Sequence, residues 1–358
     1  QSVRDRPPVI RAEMLSPGQL VCIDHFVSSA KGRRLTPRSP SDESQLLCGG
    51  CIFVDAASGH IHSELQITLS SHDTIIAKGE YELLCRDHGV IPQSYLSDNG
   101  TSFTSAAFTQ HLLQHHQVQR LAGVGAHQQN AVAERAIRTL ISISRTMLIH
   151  GAMHWPDALG DARNLWPFCT TYAAYIWNHV PDPITGISPA DIWTRTRWPL
   201  HRLHQFHVWG CPVYVLDKAI QDGKKIPKWK PRSKRMVYMG PSLRHAANVA
   251  LCYNMDTGFV TPQYHCIFDD WFATVGTSLD DMPNVNSPEW QTLFGETPFQ
   301  FSMSDEESLA LDDEVRAATD LHTTAVTMNR QDHIMSTLPP ATAISGPPPL
   351  RPLSGVCG

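Results

Sequence analysis

The chain predicts an α/β core, a small all-β unit behind it, and an acidic, Pro-rich tail. Three observations carry this. Strand-like and helix-like stretches alternate between Gly18 and Trp193. Short strand-like runs parted by turn residues fill 200–272. No Lys or Arg occurs from His245 to Val315, where acids accumulate ahead of a run of prolines. Alternation of the first kind places helices on the faces of a sheet, whereas short strands with turns between them build sandwiches and barrels. The expected boundaries are a linker at 1–17, a core at 18–199, a small β-barrel at 200–272 and a disordered tail at 273–358.

Taken in order, residues 1–17 are polar and carry prolines, as a linker does. GQLVCIDHF (18–26) is an apolar strand, and SSAKGRRLTPRSPSDESQ (28–45) is a flexible loop rich in Ser, Pro and charge. CGGCIFVDAASGHIHSELQ (48–66) reads as two strands joined at DAASGH; Asp55 there suits the turn. SHDTIIAKGEYELLCRDHG (71–89) is a helix with Asp73 in its first turn and Gly89 at its end. SYLSD (94–98) is a strand, SAAFTQHLLQHHQ (105–117) a helix, Val118–Leu121 a short strand and GVGAHQQN (123–130) a loop. From about Gln129 to His150, Ala133, Ala136, Ile137, Leu140, Ile141, Ser144, Met147 and Leu148 keep helical spacing. On the other side, Glu134, Arg138, Ser142 and Arg145 form a stripe within about a quarter turn at roughly 100° per residue.

PDALGDARNLWPFCTTYAAYIWNH (156–179) is a second helical region, interrupted at Pro167. Trp155, Trp166 and Trp177 recur in it at three-turn intervals as packing residues, and SPADIW (188–193) is a short capped helix that closes the core. HVWGCPVYVLD, KRMVYMG and NVALCYNMDTGFVTPQYHCIFDD supply the strands of the second unit. From Lys218 to Arg235 there are eight Lys/Arg against the single acid Asp222. This run is a solvated loop, an import signal or a nucleic-acid surface. Lys224, Lys225, Lys228, Trp229, Lys230, Arg232, Lys234 and Arg235 together suit the last, since cations meet phosphates and an indole stacks on bases.

The formal net charge of −5 conceals an asymmetry. Residues 1–268 hold 26 Lys/Arg and 20 Asp/Glu, a net of +6, and residues 269–358 hold 3 and 14, a net of −11. A basic body of this kind can bind phosphate backbones despite its tail. Several of the nine cysteines (Cys22, Cys51, Cys211, Cys252) lie in apolar runs and suit unpaired thiols in a reducing compartment. Cys48-Gly-Gly-Cys51 lacks a second pair at zinc-ligand spacing, and the N-terminus lacks the apolar run of a signal peptide. No apolar stretch is long enough to span a bilayer, so no membrane partner is expected.

Three acids stand out. Asp24 interrupts an apolar strand, Asp98 ends one, and Glu134 opens a helix, with 35 residues between the last two. Singly, an Asp before Asn-Gly is a turn former and a Glu in a first helical turn is a dipole partner. Together they are a hard oxygen donor set for divalent cations, and paired cations about 3.5–4 Å apart can clamp both oxygens of an in-line phosphoryl displacement.

The segment QQNAVAERAIRTLISISRTML, with SDNG and TSFTSAAF before it and YIWNHVPDPITGISPADIW and HVWGCPVYV after it, resembles integrases of copia-type long-terminal-repeat retrotransposons over about Pro17 to Phe272. The resemblance implies a ribonuclease H-like mixed five-stranded sheet flanked by helices. It implies a polynucleotidyl transferase acting on the element's DNA ends and on target DNA, with Asp24, Asp98 and Glu134 as catalytic residues and ligands of two Mg²⁺ or Mn²⁺ ions. Gln128, Gln129, Asn130, Arg135, Arg138 and Arg145 would touch DNA. Homo-oligomerisation, a nuclear site reached from a cytoplasmic particle, and origin as a fragment of a Pol-type polyprotein are also implied. The zinc-binding His-His-Cys-Cys module that such integrases carry before the core has no counterpart in 1–17, the stretch from Asp24 to Asp98 is long, and Ala131 stands where Gly is usual. These departures leave two alternatives open: a non-catalytic or co-opted DNA-binding relic, and a ribonuclease H-like nuclease.

Overall fold

The computed structural model describes residues 15–123, 130–156, 159, 162–245, 248–275, 287, 290 and 293. Its first sheet contains β1 (Val21–Gly32), β2 (Leu47–Asp55), β3 (Ile61–Gln66), β4 (Ser94–Ser97) and β5 (Val118–Leu121), in the order β3-β2-β1-β4-β5. The β1–β2 and β2–β3 pairs are antiparallel, and β1–β4 and β4–β5 are parallel. This mixed five-stranded sheet flanked by helices is the ribonuclease H-like arrangement expected from the sequence.

Strand alternation sorts the central side chains onto two faces. Val21, Ile23, Cys51 and Phe53 pack with Ala77, Tyr81 and Cys85 of α1 (Ser71–Asp87) and with Phe108 and Leu112 of α2 (Ala106–Gln114). Cys22, Ile52 and Val54 pack on the other side with Ala133, Ala136 and Leu140 of α3 (Ala131–His154) and with Ala173 and Ala174 of α4 (Trp166–His179). Cover on both faces explains why β2 reads as a nearly unbroken apolar run rather than an alternating one. It also puts the side chains of Cys48 and Cys51, three residues apart on one strand, on opposite faces, as the rejection of a zinc pair requires. Asp55 is fully buried and structural: its carboxylate accepts from Gly18 N at 2.7 Å and from Ser58 N at 2.9 Å.

The closing helix α5 (Pro189–Thr194) begins with the expected capping box of Ser188 and Asp191. Beyond it a second sheet is antiparallel throughout: β6 (Pro212–Leu216), β7 (Ser233–Pro241), β8 (Ala250–Asn254), β9 (Phe259–Gln263) and β10 (Cys266–Phe268), in the order β10-β6-β7-β8-β9, with the short α6 (Lys218–Gln221) between β6 and β7. Among the described residues β9 and β10 do not pair, so the barrel-like unit is a sheet open at that seam. Val213, Val237, Met239 and Cys252 share one apolar core with Leu148 and Ala152 of α3 and with Phe168 and Tyr172 of α4. The two sheets thus use the same helix pair.

Several boundaries differ from expectation. The loop assigned to 28–45 starts later, because β1 runs to Gly32; beyond it Arg33 is buried, its guanidinium donating to Gly258 O at 2.9 Å and Pro37 O at 3.1 Å. Pro167 does not interrupt a helix. It sits in the first turn of α4, where its missing N–H costs no helical hydrogen bond. Trp155 and Trp166 are buried, donating to Gly210 O and Ala30 O, but Trp177 is 39% exposed and reaches Gly59 O from the rim. The linker at 1–17 and the tail at 273–358 lie almost wholly outside the described residues. Trp290 and Leu293, within that tail, are nonetheless buried in the apolar core, and Leu293 O accepts from Ser29 N at 2.9 Å. The packed body therefore reaches past residue 272, with the side chains of Trp290 and Leu293 in its core.

Gly151 marks where α3 meets the turn before β6. A Cβ there would stand 2.6 Å from Cζ3 of Trp209, a buried ring. Ordinary helix propensity favours Ala over Gly, so Gly151→Ala should stabilise an isolated helix but destabilise this fold, by about 1–3 kcal/mol of overpacking. Thermal or urea unfolding checks the sign: a higher melting temperature for Gly151→Ala would show that this contact does not constrain the packing.

Candidate active site

The site follows from register and face. β1 and β4 run parallel with Val21 opposite Tyr95 and Cys22 opposite Leu96. The paired residues stop there, but Asp24 lies two residues further along β1 and Asp98 directly follows the last residue of β4, so the same offset carried on leads Asp98 toward Asp24. Asp24 shares strand parity with Cys22 and therefore the face covered by α3; His25 takes the other face, where its ring lies 3.0 Å from Thr74 Oγ1 and stacks on Phe103. Burial pushes the His25 imidazole down to about 4, so it is neutral near pH 7. Glu134 stands in the first turn of α3, the helix that packs across this face.

Electrostatics report the convergence. The Asp24 carboxyl is pushed up to about 7, first by burial, then by the negative charge of Asp98 and, more weakly, that of Glu134; the backbone N–H of His25, donating to Asp24 Oδ1 at 2.7 Å, opposes the rise. Like charges gathered in a half-dry cleft disfavour ionisation. The fold brings Asp24 within the field of both Asp98 and Glu134. Asp98 also performs the turn role weighed for it, since its Oδ1 accepts from Gly100 N at 3.0 Å.

An all-carboxylate donor set that is short of positive charge fits Mg²⁺ or Mn²⁺ in donor chemistry. Distance is less complete: among the described residues, no three His, Cys, Asp or Glu side chains are grouped tightly enough to hold an ion. The fold thus gathers the acids near one another, while their side chains are not drawn into a finished ligand cage.

The remaining expected contacts are scattered. Gln128 and Gln129 lie outside the described residues. Asn130 is fully buried rather than presented to a ligand: Nδ2 donates to Ile23 O at 3.2 Å and to Asp24 Oδ2 at 3.4 Å. Arg135 and Arg138 are exposed along α3, and Arg145 is half-buried. In the second unit Lys224, Lys225, Lys228, Lys230, Arg232, Lys234 and Arg235 are all exposed, and Trp229 is 96% exposed. Lys234 pairs with Asp256 at 2.8 Å and Lys230 with Asp217 at 3.6 Å, surface pairs weak enough to yield to a polyanion. No helix among the described residues is long and apolar enough to cross a membrane.

One supporting group escaped the sequence reading. Lys78 is fully buried and pairs with Glu82 at 2.6 Å, while Tyr95 Oη donates to the same carboxylate at 2.8 Å. This cluster ties α1 to β4 three residues ahead of Asp98. The i, i+4 Lys–Glu spacing was visible in the sequence, but it also describes an ordinary surface pair.

No protein-family model matches the chain, and no curated protein matches it. Solved structures do. The HTLV-2 integrase catalytic core domain in complex with magnesium is 18% identical in its dimeric form, with a TM-score of 0.36 over 50% of this chain and 98% of that one. Its trimeric form is also 18% identical, with a TM-score of 0.34 over 50% and 97%. A simian T-cell lymphotropic virus intasome is 16% identical, with a TM-score of 0.38 over 71% of this chain and 79% of that one.

The raised Asp24 carboxyl has a definite pH signature. A carboxyl held above its ordinary value favours the folded state while neutral, so its contribution is complete below the usual carboxylate range and is lost as pH climbs through about 7. Without divalent ions, Asp24→Asn should be the more stable protein at pH 8, by roughly 1–3 kcal/mol, and the gap should close by pH 4. Melting curves in EDTA across that range are the check. A pH-independent gap would mean that the Asp24 carboxyl is not raised in the folded protein.

Proposed function

We propose that this chain is the core of an integrase-like polynucleotidyl transferase, from a Pol-type polyprotein of a copia-type retrotransposon, that cuts and joins DNA. The reading is supported by the parallel β1–β4 pairing, which leads toward Asp24 within β1 and Asp98 just past β4, together with the charges of Asp98 and Glu134 that Asp24 feels. The QQNAVAERAIRTL segment and its distance from SDNG support the same reading. Asp24 with Asp98 would hold one divalent ion, and Asp24 with Glu134 the second. When bound, such ions supply the charge that steadies the attacking and leaving oxygens of a phosphodiester exchange. The chain itself contributes position: rigid strands and a packed helix fix the carboxylates before substrate arrives.

The two steps use one site. Water first opens a phosphodiester near the end of the element's DNA; the 3′-OH so released then attacks a phosphodiester of target DNA and displaces a new 3′-OH. Arg135, Arg138 and Arg145 along α3, with the basic stretch from Lys224 to Arg235, would carry the DNA backbone, and Trp229 would stack on an unpaired base. A homo-oligomer working in the nucleus, where target DNA lies, suits a reaction with two DNA partners.

A second reading, a DNA-binding module without catalysis, is favoured by one observation: the acids are not grouped tightly enough to hold an ion among the described residues. An assay separates the two. Purified chain with Mn²⁺ and a labelled duplex should yield joined products, and Asp98→Asn should lower the yield by roughly 100-fold or more, the scale of losing one electrostatic stabiliser. Cleavage without joining would indicate a nuclease. DNA binding with neither product would leave the non-catalytic module.

The exposed indole supports a separate expectation. Trp229→Ala should weaken single-stranded DNA by about 1–3 kcal/mol while leaving the fold unchanged. Fluorescence anisotropy with short oligonucleotides measures it, and wild-type affinity in the variant would remove Trp229 from the binding surface.

A further inference from the structure

Asn130 occupies the N-cap of α3, a position where Asn ordinarily accepts from the N–H groups of the first helical turn. Here the side chain makes no such cap. It is fully buried and points across to β1, Nδ2 lying 3.2 Å from Ile23 O and 3.4 Å from Asp24 Oδ2. The orientation is dictated by chemistry: turned over, the amide would set an acceptor against two acceptors. Its Oδ1, buried and without a hydrogen-bond partner, would gain one by capping the helix instead. The tertiary contact has been kept at the expense of the local one.

Position on the helix gives that contact a consequence. Glu134 is four residues beyond Asn130, about one turn further along the same side. An amide that fastens the start of α3 to the peptide between Ile23 and Asp24 therefore fixes how far Glu134 stands from Asp24. It also contacts the Asp24 carboxylate directly. The six residues before it, 124–129, lie outside the described residues, so among those described Asn130 is the first fixed point of the helix.

We propose that Asn130 is a positioning residue: its carboxamide clamps the first turn of α3 to β1, sets the Asp24–Glu134 separation, and thereby determines the affinity of the acidic site for divalent cations. The inference rests on the metal-site reading given under Proposed function and goes further by assigning the geometry of that site to a residue that is neither an acid nor a surface contact. DNA contact by Asn130, as the sequence suggested, makes the opposite prediction about which binding reaction it affects.

The test uses the full chain, Mn²⁺ alone and no DNA, with free Mn²⁺ read by electron paramagnetic resonance. Two variants divide structure from positioning. Asn130→Ala removes both clamp and capping ability. Asn130→Ser restores a good helix cap but cannot reach Ile23 O, so its melting temperature in EDTA should stay close to that of the wild type. Both should bind Mn²⁺ at least tenfold more weakly, whereas duplex DNA affinity in EDTA should be unchanged. Wild-type Mn²⁺ affinity in Asn130→Ser would overturn the clamp, and so would a loss of DNA affinity with Mn²⁺ binding intact. If the wild-type chain binds no Mn²⁺ above the level of an Asp24→Asn, Glu134→Gln control, the metal-site reading fails, and the inference with it.

Discussion

The parallel pairing of β1 with β4 is the constraint on which the rest of the site depends. A slip of one residue would move Asp98 to the opposite face and leave Asp24 alone under α3. What prevents the slip is burial on both sides. Val21 and Ile23 pack toward α1 and α2, Cys22 packs toward α3 and α4, and Tyr95 is tied to Glu82 from the next strand. Each apolar contact is non-directional, yet together they admit a single register, because any other would put a carboxylate into the apolar layer. The Asp24 carboxyl, raised to about 7, reflects the cost that remains even in this register.

That cost indicates function. Proteins seldom hold a buried acid in the field of two others without a cation or a proton to relieve it. Here burial raises the charge-bearing group most enclosed by the sheet, Asp24, and the other two acids add to it. The amide of Asn130 then ties the strand bearing Asp24 to the helix bearing Glu134. Fold and site are one construction: α3 and α4 cover the sheet on one side and hold the second sheet on another, so the helix that bears Glu134 is also the joint between the two units.

Much of this was legible in the amino-acid order. Asp24 in an apolar strand, SDNG at a strand end and the periodic helix after QQN each gave a local signal, and the capping box of Ser188 and Asp191 is a purely local motif. Features set by distant partners were not legible. Nothing near Gly32 or Arg33 shows that β1 continues, because the groups that bury Arg33 are Gly258 and Pro37. Trp290 and Leu293 fall in the stretch expected to be a disordered tail, and only their distant partners in the core set them apart. The family resemblance implies a DNA contact at Asn130; only the fold shows its amide turned inward. Pro167 misled for a different reason. Proline breaks a helix it follows and starts one it precedes, and the sequence does not say which side is helical.

The central claim, that residues 24, 98 and 134 share one cation site, has a direct measurement. Paramagnetic broadening of backbone amide resonances during a Mn²⁺ titration reports distance to the bound ion. The account predicts that the amides of Asp24, Asp98 and Glu134 broaden together, at the same low metal concentration, before any others. Broadening that begins elsewhere, or that reaches only one of the three, would contradict it.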